Sequence, residues 1–167
     1  EEPYTLRLAW EFAVAPLYPG TALLVVATDV VEELLARARA ACYSANSVKL
    51  LPRAWREHGF ERADYSYCLR ARYRDGVEFL CADVRAGLPP GPFDLILCRN
   101  LVFTYFDEPT QRALLQRMVA QLRPGAALVI GRKERLPSDG AGLVPWPGAE
   151  RLGIFRKSEG EVVGPGV

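Results

Sequence analysis

Three apolar stretches of this chain each end in polar residues whose side chains can bind a ligand. Asp29 follows ALLVVAT, Asp83 follows VEFLCA, and the pair Arg99-Asn100 follows FDLILC. Carboxylates accept hydrogen bonds from hydroxyl and amino groups, whereas guanidinium and amide groups donate to polar or anionic groups. Structural interpretations remain open. Asp29 and Glu32 fit a helix capping box, and Asp83 fits a loop residue. Arg99 fits a surface residue in an ion pair, and Asn100 fits a turn former.

The composition excludes two classes of partner. The chain has 167 residues, half of them hydrophobic, with 21 Lys and Arg against 20 Asp and Glu. This length suits one domain, and the balanced charge gives no attraction to nucleic acid. No apolar run approaches the ~20 residues that span a bilayer. We therefore expect neither nucleic-acid binding nor membrane insertion.

Cysteine and histidine usage argues against a metal centre. The four cysteines, Cys42, Cys68, Cys81 and Cys98, lie far apart and form no CxxC pair, and His58 is the single histidine. We interpret the cysteines as buried thiols of a reducing compartment, in preference to disulfides or metal ligands. One histidine disfavours a His-based zinc site and a Ser-His-Asp triad.

The predicted order of strands and helices indicates where in the fold the polar strand ends lie. Apolar runs predict strands at 22–28, 77–82, 93–98, 126–131 and 152–156, and helical spacing predicts helices at 4–15, 30–42 and 107–122. A short helical piece is predicted at 54–58, and the alternating stretch at 65–73 that follows it is typical of one arm of a hairpin. Alternating strands and helices predict an α/β fold with a parallel sheet, which binds ligands at the carboxyl ends of its strands.

Six ordered motifs resemble one family. EEPYTL, ATDV, FLCADV, LPPGPFDLILCRN, YFDEPTQRALLQRM and LRPGAALVIG resemble the chemotaxis-receptor methyltransferases of the CheR type, over about residues 1–157. The resemblance implies a class I, Rossmann-like methyltransferase with a mostly parallel sheet, helices on both faces and S-adenosyl-L-methionine as cofactor. It also implies a catalytic domain at 1–158, in which 44–76 forms a small β-subdomain, and a frayed tail at 159–167.

The resemblance also implies cofactor contacts at the start of the chain and after two strands. Glu1 or Glu2 would hold the methionine part of the cofactor, and Asp29 would hold its ribose. Asp83 and Val84 would lie beside the adenine.

The most distinctive motif, CRN followed by YFD, implies the remaining site residues. Arg99 and Asn100 would line the cofactor pocket, and Tyr105 would lie near the transferred methyl group as the catalytic residue. Four residues separate Asn100 from Tyr105, one more than in the family pattern, so we expect a divergent member.

The implied reaction is O-methylation of a carboxylate, a protein glutamate of a chemoreceptor-like partner, in the cytoplasm. A glutamate with a pKa near ~4.3 is ionised at pH 7, so no general base is required. Two alternatives stay open: methylation of a small molecule, and a non-catalytic methyltransferase-like module that binds a partner.

The resemblance begins inside a motif. The first strand and glycine loop of the family, and its helical N-terminal domain, would precede Glu1. That strand would lie inside the sheet, and a sheet without it would have unpaired interior edges. We therefore expect the natural protein to continue upstream, and we expect the truncated stretch to bind cofactor poorly by itself.

Overall fold

A computed structural model describes residues 1–137 and 140–159, and it divides the chain into the units Glu1–Gly87 and Leu88–Val167. The predicted domain at 1–158 stays a prediction, and all of the predicted tail except residue 159 lies outside the described residues. Within the described part of the chain the longest helix has 14 residues, and none is long and apolar enough to cross a membrane.

The first unit combines a parallel strand pair with a small antiparallel sheet. Its helices are α1 (Glu2–Ala9), α2 (Glu32–Ala40), α3 (Ala45–Val48) and α4 (Arg53–Gly59). Its strands are β1 (Val25–Asp29), β2 (Cys42–Ser44), β3 (Phe60–Ala63), β4 (Ser66–Leu69) and β5 (Val77–Cys81). β1 pairs with β5 in parallel, and β4 lies between β2 and β3 in the antiparallel sheet.

An aromatic-rich core holds the first unit together. α1 begins with Pro3 in its first turn and continues through a π-helical turn, Trp10–Val14, into the 3-10 turn Ala15–Leu17. A proline is tolerated there because the first helical N–H groups have no partner within the helix. The buried cluster consists of Tyr4, Leu8, Ala41, Val48, Phe60, Leu69 and Tyr73. The face of α1 that carries Tyr4 and Leu8 is therefore buried against the hairpin segment.

The prediction of four buried thiols is wrong for three of the cysteines. Cys42 and Cys68 lie opposite each other on β2 and β4 and form a disulfide with a Cα–Cα distance of 4.0 Å. The sequence could not reveal this because the register of the two strands brings together residues that are 26 positions apart. Cys81 is an exposed free thiol, and only Cys98 is a buried one, as predicted.

The second unit is a four-stranded sheet with one parallel pair. It contains β6 (Phe93–Cys98), α5 (Val102–Tyr105), α6 (Glu108–Gln121), β7 (Leu122–Ile130), β8 (Leu143–Pro145) and β9 (Ile154–Lys157). The strand order is β6-β7-β9-β8, in which β6 and β7 are parallel and the other pairings are antiparallel. The predicted α/β fold class is confirmed.

Both ends of α6 are satisfied by side chains. Asp107 is the N-cap, and its Oδ1 accepts a hydrogen bond from the Thr110 amide at 3.0 Å. Lys157 Nζ donates to the carbonyls of Val119 and Leu122 at the other end. A carboxylate at the N-terminus and an ammonium at the C-terminus also complement the helix dipole. These contacts at both ends define the length of α6.

Candidate functional site

In the first unit, two predicted site residues lie at one edge of the parallel pair. The register pairs Asp29 with Cys81, and the Ala82 amide donates to the Asp29 carbonyl at 2.9 Å. Asp83 follows two residues beyond Cys81 at the same carboxyl edge. The sequence pattern thus correctly places both acids at the end of the strands where α/β folds bind ligands.

The capping-box interpretation of Asp29 is wrong. The N-cap of α2 is Val31, and no side chain caps that helix. Asp29 Oδ1 instead accepts from the Val31 amide at 2.9 Å, an Asx-type turn that orients the carboxylate at the strand end. The half-buried acceptor at this position suits the two hydroxyl donors of a ribose.

Asp83 is already engaged by a neighbour. The Arg85 guanidinium contacts both carboxylate oxygens at 2.6–3.0 Å, and the Arg85 amide donates to Oδ1 at 2.8 Å. The side-chain hydrogen bonds and then the backbone bond lower the pKa of Asp83. The adenine contact predicted for Asp83 and its half-buried neighbour Val84 stays a prediction.

Glu1 and Glu2 lie at the start of α1 with exposed side chains. Glu1 is the N-cap residue, and its carbonyl accepts from the Thr5 amide and hydroxyl, each at 3.1 Å. Glu2 is the first residue of the helix. Acidic side chains in the first turn also stabilise a helix by interacting with its dipole, which is a structural reason for both glutamates. Their role toward the methionine part of the cofactor stays a prediction.

In the second unit, β6 delivers Arg99 and Asn100 to a sharp turn. Both residues are exposed, and Asn100 adopts the left-handed conformation with φ = +53°. Asparagine tolerates this conformation better than most residues. Tyr105 ends α5 with 74% of its surface exposed, and its amide donates to the Leu101 carbonyl at 3.0 Å. The turn and the short helix place the three predicted residues, Arg99, Asn100 and Tyr105, on one continuous segment.

Glu134 is the site residue that the sequence reasoning missed. It follows β7 and is the only buried charged residue among the described ones, with 7% of its surface exposed. Its Oε2 accepts from the amides of Gly131 at 2.5 Å and Asn100 at 3.0 Å, and its Oε1 accepts from Thr104 Oγ1 at 2.5 Å. The Leu101 amide lies close enough to lower the pKa of this carboxyl group further. We call these five residues, Asn100, Leu101, Thr104, Gly131 and Glu134, the Glu134 cluster.

The hydrogen bonds of the cluster keep Glu134 ionised. Burial raises the pKa of this carboxyl group, but the bonds from Thr104 and from the backbone amides outweigh it and leave the pKa below its usual value.

Cys98, at the end of β6, has a pKa shifted in the opposite direction. Burial raises the pKa of the Cys98 thiol to about 11. The nearby Glu134 charge adds to this effect, and a hydrogen bond from the Val102 amide opposes it. Cys98 is therefore a neutral thiol and not a nucleophile at pH 7.

A signal in the sequence could have revealed Glu134. Asp29, Asp83 and the pair Arg99-Asn100 are polar residues that follow predicted strands. Arg132, Lys133 and Glu134 follow the predicted strand 126–131 in the same way.

An open cavity adjoins the cluster within the second unit. Its volume is about 670 Å³, and its lining includes Asn100, Thr104, Lys133, Glu134 and Arg135. The exposed Lys133 and Arg135 add two positive charges to the rim. A cavity with buried acceptors and basic rim residues can admit a polar or acidic group.

Comparison with known proteins identifies the family. Residues 1–144 match the model of the CheR methyltransferase SAM-binding domain. The chain belongs to this family. The cofactor of this domain family is S-adenosylmethionine, as its name states.

Its CheR-family relatives are longer proteins. A probable chemotaxis protein methyltransferase of Rhizobium etli is 33% identical over 83% of this chain and 53% of its own length. Chemotaxis protein methyltransferase 2 of Vibrio cholerae is 34% identical over 81% and 48%, and the probable biofilm formation methyltransferase WspC of Pseudomonas aeruginosa is 31% identical over 92% and 35%. The chain thus spans about half the length of these relatives or less.

The similarity to solved structures is weaker. The N-methyltransferase NodS of Bradyrhizobium japonicum, in complex with S-adenosyl-L-homocysteine, overlaps 95% of this chain and 87% of its own. The TM-score is 0.48 and the sequence identity 16%.

Proposed function

We propose that this chain forms the cofactor-binding and catalytic part of an S-adenosylmethionine-dependent methyltransferase that O-methylates a carboxylate. The observation that carries the proposal is the CheR-family match over residues 1–144, which includes every polar strand end described above. The proposed acceptor is a protein glutamate of a chemoreceptor-like partner. The names of the Rhizobium and Vibrio relatives, which are chemotaxis protein methyltransferases, support this acceptor.

The chain's residues fit the cofactor by their chemistry. Asp29 would accept hydrogen bonds from the ribose hydroxyls at the end of β1, and Asp83 with Val84 would border the adenine. Glu1 or Glu2 would pair with the cationic methionine amine, and Arg99 and Asn100 would line the pocket beside the second strand pair. When bound, S-adenosylmethionine supplies a methyl group on a sulfonium, which an oxygen nucleophile accepts by in-line displacement.

The acceptor needs orientation more than activation. A glutamate is a carboxylate at neutral pH, so its oxygen attacks without losing a proton to a general base. The new oxygen–carbon bond forms as the carbon–sulfur bond breaks, and the negative and positive charges disappear together. Tyr105, with its exposed hydroxyl, would orient this oxygen. The enzyme's contribution is then alignment and exclusion of water.

The compartment is also a proposal. The predicted cytoplasmic location conflicts with the Cys42–Cys68 disulfide of the structure unless this bond is reduced in growing cells, because cytosolic disulfides are rare. Alkylation of freshly lysed cells, followed by mass spectrometry, measures the pair directly. Blocked cysteines support the cytoplasm, and an intact Cys42–Cys68 bond would place the protein in an oxidising compartment.

Methyl transfer tests the proposed reaction. The full-length protein that contains this chain is incubated with methyl-labelled S-adenosylmethionine and with receptor peptides that carry glutamates. Label released as methanol in mild base indicates a carboxyl methyl ester. Label in a small molecule from a metabolite extract would replace the proposed acceptor, and no transfer in spite of cofactor binding would indicate a non-catalytic module.

The ribose contact tests the cofactor site separately. Asp29→Ala removes an acceptor of two charged hydrogen bonds, so the affinity for S-adenosylhomocysteine should fall roughly 10- to 100-fold. Glu33→Ala removes the same charge from an exposed position in the first turn of α2 and is the matched control. Equal affinities of the two variants would leave Asp29 without a role in binding.

A further inference from the structure

Glu134 has no part in the roles proposed above, although it is a buried carboxylate and the sole buried charged residue in the part of the chain that the structure describes. A buried carboxylate is costly unless hydrogen bonds compensate for the water it has lost. Here the compensating donors come from three different elements. Gly131 follows β7, Asn100 follows β6, and Thr104 lies in α5.

The backbone of the turn explains why an acceptor is required. The left-handed conformation of Asn100 takes the chain out of the β6–β7 ladder, whose register ends at the pair Cys98 and Ile130. The amides of Asn100 and Leu101 therefore have no strand to bind. Glu134 Oε2 accepts from the Asn100 amide at 3.0 Å, and most backbone amides of folded proteins are satisfied by such a partner.

The Thr104 contact extends this link into α5. The helix has only four residues, Val102–Tyr105, and a helix of this length has little stability of its own. The Thr104 hydroxyl donates to Glu134 one residue before Tyr105. One carboxylate thus connects the turn that carries Asn100 with the helix that carries Tyr105.

We propose that Glu134 is a positioning residue, which holds Asn100 at the cofactor pocket and Tyr105 at the methyl acceptor by fixing the segment 99–105 to the end of β7. The inference deepens the proposed function and rests on it for the roles of Asn100 and Tyr105. Glu134 touches neither substrate nor cofactor in this account. It acts through the segment that it holds.

Two substitutions separate the hydrogen bonds from the charge. Glu134→Ala removes every acceptor. In Glu134→Gln, the amide oxygen can still accept from Gly131 and Asn100, and the amide nitrogen can donate to the Thr104 hydroxyl. Asp94→Ala is the control, because it removes an exposed carboxylate from the opposite end of β6. Thr104→Val tests the link to α5 alone.

The first readout does not depend on activity. Amide hydrogen exchange of the full-length protein, followed at Asn100, Leu101 and Gly131, should speed up at least roughly tenfold in Glu134→Ala and remain close to wild type in Glu134→Gln and Asp94→Ala. Unchanged exchange at these amides in Glu134→Ala would overturn the proposal. This result is interpretable even if the protein transfers no methyl group, so it separates the inference from the proposed function.

The second readout is kinetic and is taken well below the unfolding temperature of each variant. Small misplacements of an aligned group are costly, so kcat should fall roughly 10- to 100-fold in Glu134→Ala, with a smaller change in the acceptor KM, and recover in Glu134→Gln. A folded Glu134→Ala variant with wild-type kcat refutes the positioning role. If this variant does not fold, Thr104→Val decides: a several-fold lower kcat supports the proposal and a wild-type kcat overturns it.

Discussion

The substitution Gly131→Ala should disrupt the Glu134 cluster through a single methyl group. A Cβ at this position would lie 2.7 Å from Glu134 Oε2, 2.8 Å from Asn100 Oδ1 and 3.2 Å from Glu134 Cδ. Contacts below about 3 Å are repulsive, so the carboxylate or the asparagine must move. Oε2 is the atom that accepts from Gly131 and Asn100, and its displacement therefore lengthens both hydrogen bonds.

The expected cost combines two effects. Overpacking a filled site costs about 1–3 kcal/mol, and weakening hydrogen bonds to a buried charge adds a similar amount. The smaller entropy of an unfolded chain with alanine offsets up to about 1 kcal/mol. We expect the free energy of unfolding to fall by about 1–5 kcal/mol.

Urea unfolding at pH 7, with the midpoint and slope fitted together, measures this cost. Gly87→Ala is the matched control, because a Cβ there meets no atom within 4 Å, and its change should stay within about 1 kcal/mol. Repeating Gly131→Ala in the Glu134→Ala background should remove much of the cost. Equal stability of the two glycine variants, or an undiminished cost without Glu134, would refute the described contact.

Three further predictions concern the turn, the carboxylate and the disulfide. Because Asn100 has φ = +53°, Asn100→Ala should destabilise the fold by about 1 kcal/mol relative to Asn100→Gly in urea unfolding, and equal stability would contradict the turn geometry. The depressed pKa of Glu134 stabilises the fold above its unfolded pKa of about 4.3, and this contribution is lost as the pH falls through the lower folded pKa. The stability difference between wild type and Glu134→Gln should therefore shrink between about pH 5 and pH 3, and a constant difference would mean that the carboxylate is not the stabilised form. Replacing Cys42 and Cys68 by serine removes a disulfide that joins residues 26 positions apart. Under oxidising conditions the free energy of unfolding should fall by about 3.5 kcal/mol according to the chain-entropy relation. The difference between wild type and variant should vanish in a reducing agent.

The sequence predicted those elements whose local signals agree with their tertiary environment. The apolar run FDLILC became β6 with the expected bounds, and α6 begins where Asp107 and Pro109 indicate a cap and a first turn. β7 begins at Leu122 and not at the predicted 126, because Arg123-Pro124-Gly125, which suggests a turn, enters the strand instead. Proline is tolerated in strands at edges and irregularities, and the register between β6 and β7 is irregular here.

The sequence predicted those parts of the candidate site that lie directly at strand ends. Asp29 and Asp83 lie at one edge because parallel strands bring their carboxyl ends together, and this follows from the order of elements. Partners set by tertiary register were not predictable. Backbone geometry that no local pattern encodes places Cys42 opposite Cys68 and brings Arg85 to Asp83. It also directs several amides toward Glu134.

Binding of the cofactor product tests the central claim most directly. The full-length protein that contains this chain is titrated with S-adenosylhomocysteine by isothermal calorimetry, beside Asp29→Ala and Glu33→Ala. We expect one site, an affinity lowered roughly 10- to 100-fold by Asp29→Ala, and no comparable change in Glu33→Ala. A folded wild-type protein that gives no heat of binding would contradict the proposed methyltransferase function.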